Sequence, residues 1–222
     1  MMEENLQLWE NIHANQEWGK YPSEQVVRFV ARNYYNCVRN DIKILDFGCG
    51  AGANTWFLAR EGFDVYAFDG APSAVKRAEK YLQNEGCSSV HFKVLDGKSL
   101  DYEEEFFDCV IDNACIYSNT RDNIIKMYQE VYRVLKHQGK IYSSCFGLET
   151  DGYLMSEELE ENTFYNIKEG VLANRGIAHF YSEQELYLIL YDIGFRDIVI
   201  DKMQYTDNGN KVDILMAKAV KE

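Results

Sequence analysis

The run Ile42 to Arg60, IKILDFGCGAGANTWFLAR, constrains this chain more than any other stretch. Ile42, Ile44, Leu45 and Phe47 form the short apolar run expected of a strand buried on both faces. Gly48, Gly50 and Gly52 then let the chain turn sharply and bring its backbone close to a ligand, because no Cβ intervenes. Trp56, Phe57, Ala59 and Arg60 belong to the helix that follows. Its first amides have no intrahelical partner and point into the turn. Strand, glycine turn and helix in this order make the nucleotide-side half of a βαβ unit.

The spacing narrows the reading. It is Gly-x-Gly-x-Gly with Asp46 two residues ahead, not Gly-x-Gly-x-x-Gly, and no Gly-Lys-Ser/Thr closes it as a phosphate loop. A tight βα connection alone would also use such glycines. The second signal is Asp69, at the end of a second strand, Asp64 to Asp69. A carboxylate there can accept both hydroxyls of a ribose whose remaining parts lie over the glycine turn.

DFGCGAGANTWFLA followed by VYAFDGAPSAVKRAE resembles motifs one and two of the class I S-adenosylmethionine-dependent methyltransferases, and the resemblance runs over most of the chain. It implies a cofactor site at Asp46, Gly48, Cys49, Gly50, Gly52, Asp69 and Gly70. A third strand, Val90 to Asp96, ends in a third acid. In the family an acid there faces the adenine amino group and the next residue, here Gly97, lies along the ring. Without a ligand, Asp96 would serve as a turn or helix cap. Phe107 to Ala114 matches motif four, so Asn113 and Ala114 are expected beside the methionine part of the cofactor. Asp112 reads as a strand-end polar group sooner than as a catalytic acid.

The flanking segments fit one domain, residues 1–222. Residues 3–19 and 23–35 read as two aromatic-rich helices broken at Trp18-Gly19-Lys20-Tyr21-Pro22. In the methyltransferases this resembles, such a segment (1–36) covers the cofactor as a lid, with Trp18 and Tyr21 as site residues; otherwise they are core anchors. Residues 72–86 and 119–137 read as amphipathic helices, and His137 as a capping residue at the end of the second. Residues 147–178 lack clear periodicity, carry Glu157, Glu158, Glu160, Glu161 and the aromatics Tyr153, Phe164 and Tyr165, and are expected to be a substrate-covering insertion. Ser182 and Glu185 form a capping box before a helix stopped at Gly194. Asp207-Asn208-Gly209-Asn210 between two strand-like runs signals a closing hairpin. The expected fold is therefore α/β: a Rossmann-like, doubly wound, seven-stranded, mostly parallel sheet with an antiparallel C-terminal edge hairpin.

Charge and cysteines exclude more than they specify. Against 23 Lys and Arg stand 36 Asp and Glu, a net charge of −13. Such a surface repels a phosphate backbone, so no nucleic-acid partner is expected. Nor is there an Asn/Asp-Pro-Pro-Tyr/Phe motif. No run approaches the ~20 apolar residues of a membrane span, and MMEENLQLWE lacks a secretory n-region. Six cysteines without a C-x-x-C pair suit a reducing, cytoplasmic setting with no metal site. The partner expected is a small-molecule substrate; oligomeric state is not written in the sequence.

S-adenosylmethionine brings its own activated methyl group, so the chain has to align a nucleophile and exclude water. A base is needed only where an O- or N-acceptor must lose a proton. His179 is the first candidate and Tyr117 the second, although His-Phe-Tyr before a capped helix also reads as a packing staple. His13 and His91 read as structural or exposed. Two other functions use similar features. A nicotinamide-dependent oxidoreductase also needs a glycine turn and a ribose acid, but the spacing, Asp96-Gly97 and motif four count against it. A non-catalytic, cofactor-binding regulator would keep every motif.

Overall fold

The computed structural model describes residues 2–152 and 156–222, with Met2 described for its backbone only. Tyr153, assigned above to the insertion, lies outside the described residues. Five parallel strands come first: β1 (Lys43–Phe47), β2 (Asp64–Asp69), β3 (Val90–Val94), β4 (Phe107–Asn113) and β5 (Leu135–Phe146). The hairpin β9 (Phe195–Asp207) and β10 (Asn210–Lys221) adds two antiparallel strands, giving the order β3-β2-β1-β4-β5-β10-β9. Chain direction through the sheet reverses between β1 and β4, and ligands bind at the carboxyl edge of such a switch point.

Alternate side chains of each strand face opposite layers. Leu45, Phe47 and Val110 join Tyr128 and Val131 of α5 (Arg121–Val134) and Leu190 of α6 (Glu183–Ile193). Ile44, Val65 and Ile111 pack on the other face against α2 (Glu24–Tyr34) and α3 (Ala53–Arg60). An isolated helix as short as α2, 11 residues, is marginal in water. Val26, Phe29, Val30 and Tyr34 are buried along one stripe, and each such burial contributes about 1.5–3 kcal/mol. Docking therefore holds the helix. Two further helices, α1 (Met2–Asn15) and α4 (Pro72–Asn84), meet above the carboxyl edge.

Three boundaries differ from the sequence reading. The helix expected to 137 ends at Val134, because the amides of Glu105 and Phe106 take the carbonyls of Arg133 and Val134 (3.1 and 2.9 Å) and turn the chain out at Leu135. Leu135 to Gly139 therefore begins β5, and His137 is an exposed strand residue, not a cap. The insertion contains a small sheet, β6 (Glu157–Glu160), β7 (Thr163–Tyr165) and β8 (Ala178–His179), whose strands are too short to show a period. Helix α1 stops at Asn15, short of the expected residue 19, and α2 opens at Glu24 behind the N-cap Ser23.

Candidate functional site

At the switch point the β1–α3 turn, the ends of β2 to β4 and helix α1 enclose a cavity of about 570 Å³. Its floor is the glycine turn. Gly48 has φ +71°, and a Cβ there would fall 2.1 Å from Cys115 Sγ, so only glycine lets the turn and the β4 exit loop approach this closely. Gly52, at φ +89°, brings α3 against Ala78 of α4; it supports the floor without lining it. Gly48, Cys49 and Gly50 do line it.

Asp69 joins the floor to the wall. Its carboxylate accepts from the amides of Gly50 and Ala71, both at 2.9 Å. Burial raises its pKa, opposed by those amides and by the nearby charge of His13. Asp46 is one layer deeper. Burial pushes it up to about 7, with the charges of Asp69 and Asp112 adding to the effect, and it accepts from Thr55 Oγ1. It fastens β1 to α3 and does not reach the cavity. Asp112 is equally buried and pushed up to about 6 by burial; it accepts from the amides of Cys115 and Ile116 and from Ser143 Oγ, which fixes the exit loop.

The adenine-side expectations fall on the opposite wall. Asp96 lines the cavity two residues beyond β3, accepting from the Lys98 amide at 3.0 Å and pairing with Lys98 Nζ at 3.0 Å. Gly97 runs so close to Phe47 that a Cβ would lie 2.5 Å from its ring. Gly70, Asn113 and Ala114 also line the cavity, and Ala114 holds φ +60°. Asn113 Oδ1 accepts from Ser144 Oγ at 3.1 Å.

Helix α1 is the roof. Glu10 accepts from the Ser73 amide and hydroxyl, capping α4 from outside its own sequence. Asn5 Nδ2 donates to the Ser118 carbonyl (2.9 Å) while its Oδ1 accepts from the Ile177 amide (3.0 Å), and Trp9 Nε1 donates to Ser118 Oγ (3.0 Å). His13, read from sequence as structural or exposed, is buried and lines the cavity above Gly50, between the rings of Trp9 (5.9 Å) and Trp18 (5.3 Å). Burial lowers its pKa, with Asp69 pulling the other way. The i, i+4 spacing of Asn5, Trp9 and His13 was the available signal. Trp18 and Tyr21 line the mouth, Tyr21 edge-on to Trp56 and 80% exposed. Two buried cavity-lining atoms have no partner among the described residues: Asn54 Oδ1 and His13 Nδ1.

The two expected bases stand elsewhere. His179 is fully buried, with Nδ1 2.7 Å from Thr163 Oγ1 and Nε2 3.2 Å from Glu185 Oε1. Both nitrogens are taken, so the ring joins β7, β8 and α6. Ser182 does cap α6 through the Glu185 amide (3.1 Å), while the Glu185 side chain turns to His179 and Arg121 and not back to Ser182. Tyr117 packs edge-on to Phe146, and burial pushes its hydroxyl far above the ordinary range. Neither residue lines the cavity.

Comparison with known proteins agrees with this architecture. A family model described as a methyltransferase domain matches residues 44–139. A 2-heptyl-1-hydroxyquinolin-4(1H)-one methyltransferase of Mycobacteroides abscessus is 27% identical over 110 residues, 49% of this chain and 46% of that protein. The chain spans about half the length of the curated relatives it matches. A SAM-dependent methyltransferase of Methanosarcina mazei superposes with a TM-score of 0.71 at 27% identity, covering 86% of this chain and 96% of that one. The 1,6-didemethyltoxoflavin-N1-methyltransferase of Burkholderia thailandensis, solved with its substrate and S-adenosylhomocysteine, shares the fold at 19% identity and TM-score 0.65, over 89% of this chain and 77% of that one.

Proposed function

We propose that this chain, which belongs to the class I S-adenosylmethionine-dependent methyltransferases, transfers the cofactor's methyl group to the oxygen or nitrogen of a small molecule. One observation carries the reading. A single cavity joins an amide-clamped carboxylate, Asp69, to two buried polar atoms left without partners among the described residues, Asn54 Oδ1 and His13 Nδ1. Its volume, about 570 Å³, falls in the range of about 300–1,000 Å³ usual for small-ligand sites.

These residues fit the cofactor. Asp69, with Gly70 beside it, has lone pairs left for the ribose hydroxyls, and Asp96 with Gly97 would hold the adenine. Gly48, Cys49, Gly50, Asn113 and Ala114 would flank the methionine part, where Asn54 Oδ1 can accept from its ammonium. Asp46 and Gly52 hold these groups in place from behind. When bound, S-adenosylmethionine supplies an electrophilic methyl on a sulfonium. The chain's task is to align the acceptor and keep water out. Helix α1 with Trp18 and Tyr21 forms the cover, held from the 147–178 side through Ile177, whose amide donates to Asn5 Oδ1. A small acceptor suits a roofed cavity in a chain of charge −13, in the cytoplasm. We assign no general base: His179 is held by Thr163 and Glu185, and Tyr117 is packed away from the cavity.

Calorimetric titration of S-adenosylhomocysteine and of NAD into wild type and Asp69→Asn tests the reading. Micromolar binding of the first, at least about tenfold weaker in the variant, with no NAD signal, is expected. Binding of NAD, or of neither, overturns it.

A further inference from the structure

We infer that the methyl acceptor carries an oxyanion, a carboxylate or a phosphate, and that Arg175 receives it beside the Trp18 wall of the cavity. The inference rests on the methyltransferase reading and names its substrate class.

Arg175 does not itself line the cavity; its guanidinium carbon stands 4.7 Å from the centre of the ring of Trp18, which does, and its charge is felt by the cavity-lining His13. Its Nη1 is buried and donates to nothing. Among the described residues it has no carboxylate partner, in a chain with 36 acidic residues against 23 basic ones. The contrast with Arg133 is direct: there both terminal nitrogens are satisfied by Glu130 and by the carbonyls of Leu100 and Tyr102. The backbone beneath Arg175 is fixed. The Ile177 amide is bound by Asn5 Oδ1, and Gly176 leaves no room for a Cβ against the same atom. His13 and Tyr117 both feel the guanidinium charge, and neither supplies a negative partner. A guanidinium stacked on an indole, with one desolvated N–H unspent, suits an oxyanion acceptor. Leaving that N–H unpaired is costly, so a ligand is its natural acceptor.

Two anions could reach it: one on the acceptor, or the carboxylate of the cofactor itself. The test separates them. Protein saturated with S-adenosylhomocysteine is titrated with 4-hydroxybenzoate and phenyl phosphate, and with the neutral 4-hydroxybenzamide and phenol. Wild type, Arg175→Met and Arg175→Lys are compared. We expect an anion to bind the wild-type complex, its neutral counterpart to bind at least about tenfold more weakly, and Arg175→Met to lose that preference. Arg175→Lys, which keeps the charge without the fork, falls between. Equal binding of charged and neutral probes, binding of none of them, or full anion affinity in Arg175→Met overturns the inference. So does a second pattern: Arg175→Met weakening S-adenosylhomocysteine but not 5′-methylthioadenosine, which lacks the carboxylate. The melting temperature of each unliganded variant identifies a folding defect, and Arg175→Lys then supplies the comparison. Absence of S-adenosylhomocysteine binding to wild type marks failure of the methyltransferase reading instead.

Discussion

The Asp69 end of the cavity and the Arg175 neighbourhood behind its Trp18 mouth are built in opposite ways. At the Asp69 end the charged group is satisfied before any ligand arrives, by amides two and nineteen residues away. Beside Trp18, Arg175 keeps one N–H unsatisfied among the described residues, on a segment pinned at Ile177 by the side chain of Asn5, 172 residues distant. One end is a stiff piece of local backbone that tolerates a small range of ligands. The other is assembled from remote segments, residues 5, 118 and 177, outside the sheet.

The largest expected effect comes from breaking the stiff end. Gly48→Val places a side chain at positive φ against Cys115. It should cost about 2–4 kcal/mol of stability and abolish S-adenosylhomocysteine binding; urea unfolding and calorimetry read the two separately. Retained binding would mean the turn is not the cofactor floor. The assembled end is broken next by Asn5→Ala, which strips the Ser118 carbonyl and Ile177 amide of their partners at a cost of about 1–3 kcal/mol. Cofactor affinity should fall only a few-fold, whereas binding of an anionic probe at Arg175 should fall more. Equal losses would erase the distinction between the ends.

A third test sharpens the comparison through pH. Folding holds the Asp46 proton up to about pH 7, against an ordinary value of 3.8. Between those values the folded state binds more protons than the unfolded chain, so stability falls as pH rises through this window. Asp46→Asn should flatten that fall, read as the change in melting temperature from about pH 4 to about pH 7. An unchanged slope would show that Asp46 titrates as an ordinary carboxylate.

Legibility in the sequence follows the same division. The β1 turn, Asp69, the β3 and β4 ends and the Asn208-Gly209 hairpin were readable because each depends on neighbours within a few residues. His13, Asn54 and Arg175 were not, since their surroundings come from elsewhere in the chain. His179 misled for the same reason: a histidine after a long loop resembles a base until Thr163 and Glu185 are seen on its two nitrogens. The end of α5 was misplaced because Glu105 and Phe106, some thirty positions earlier, claim its last carbonyls.

Helix α1 also sets a timetable. During synthesis it is made before its anchors at Ser73, Ser118 and Ile177. Until Ile177 emerges, Leu6, Trp9 and His13 have nothing complete to cover. The sheet from β1 to β5 can condense in the meantime, as early segments do. The roof is then a late docking event, completed only once Ile177 has been made.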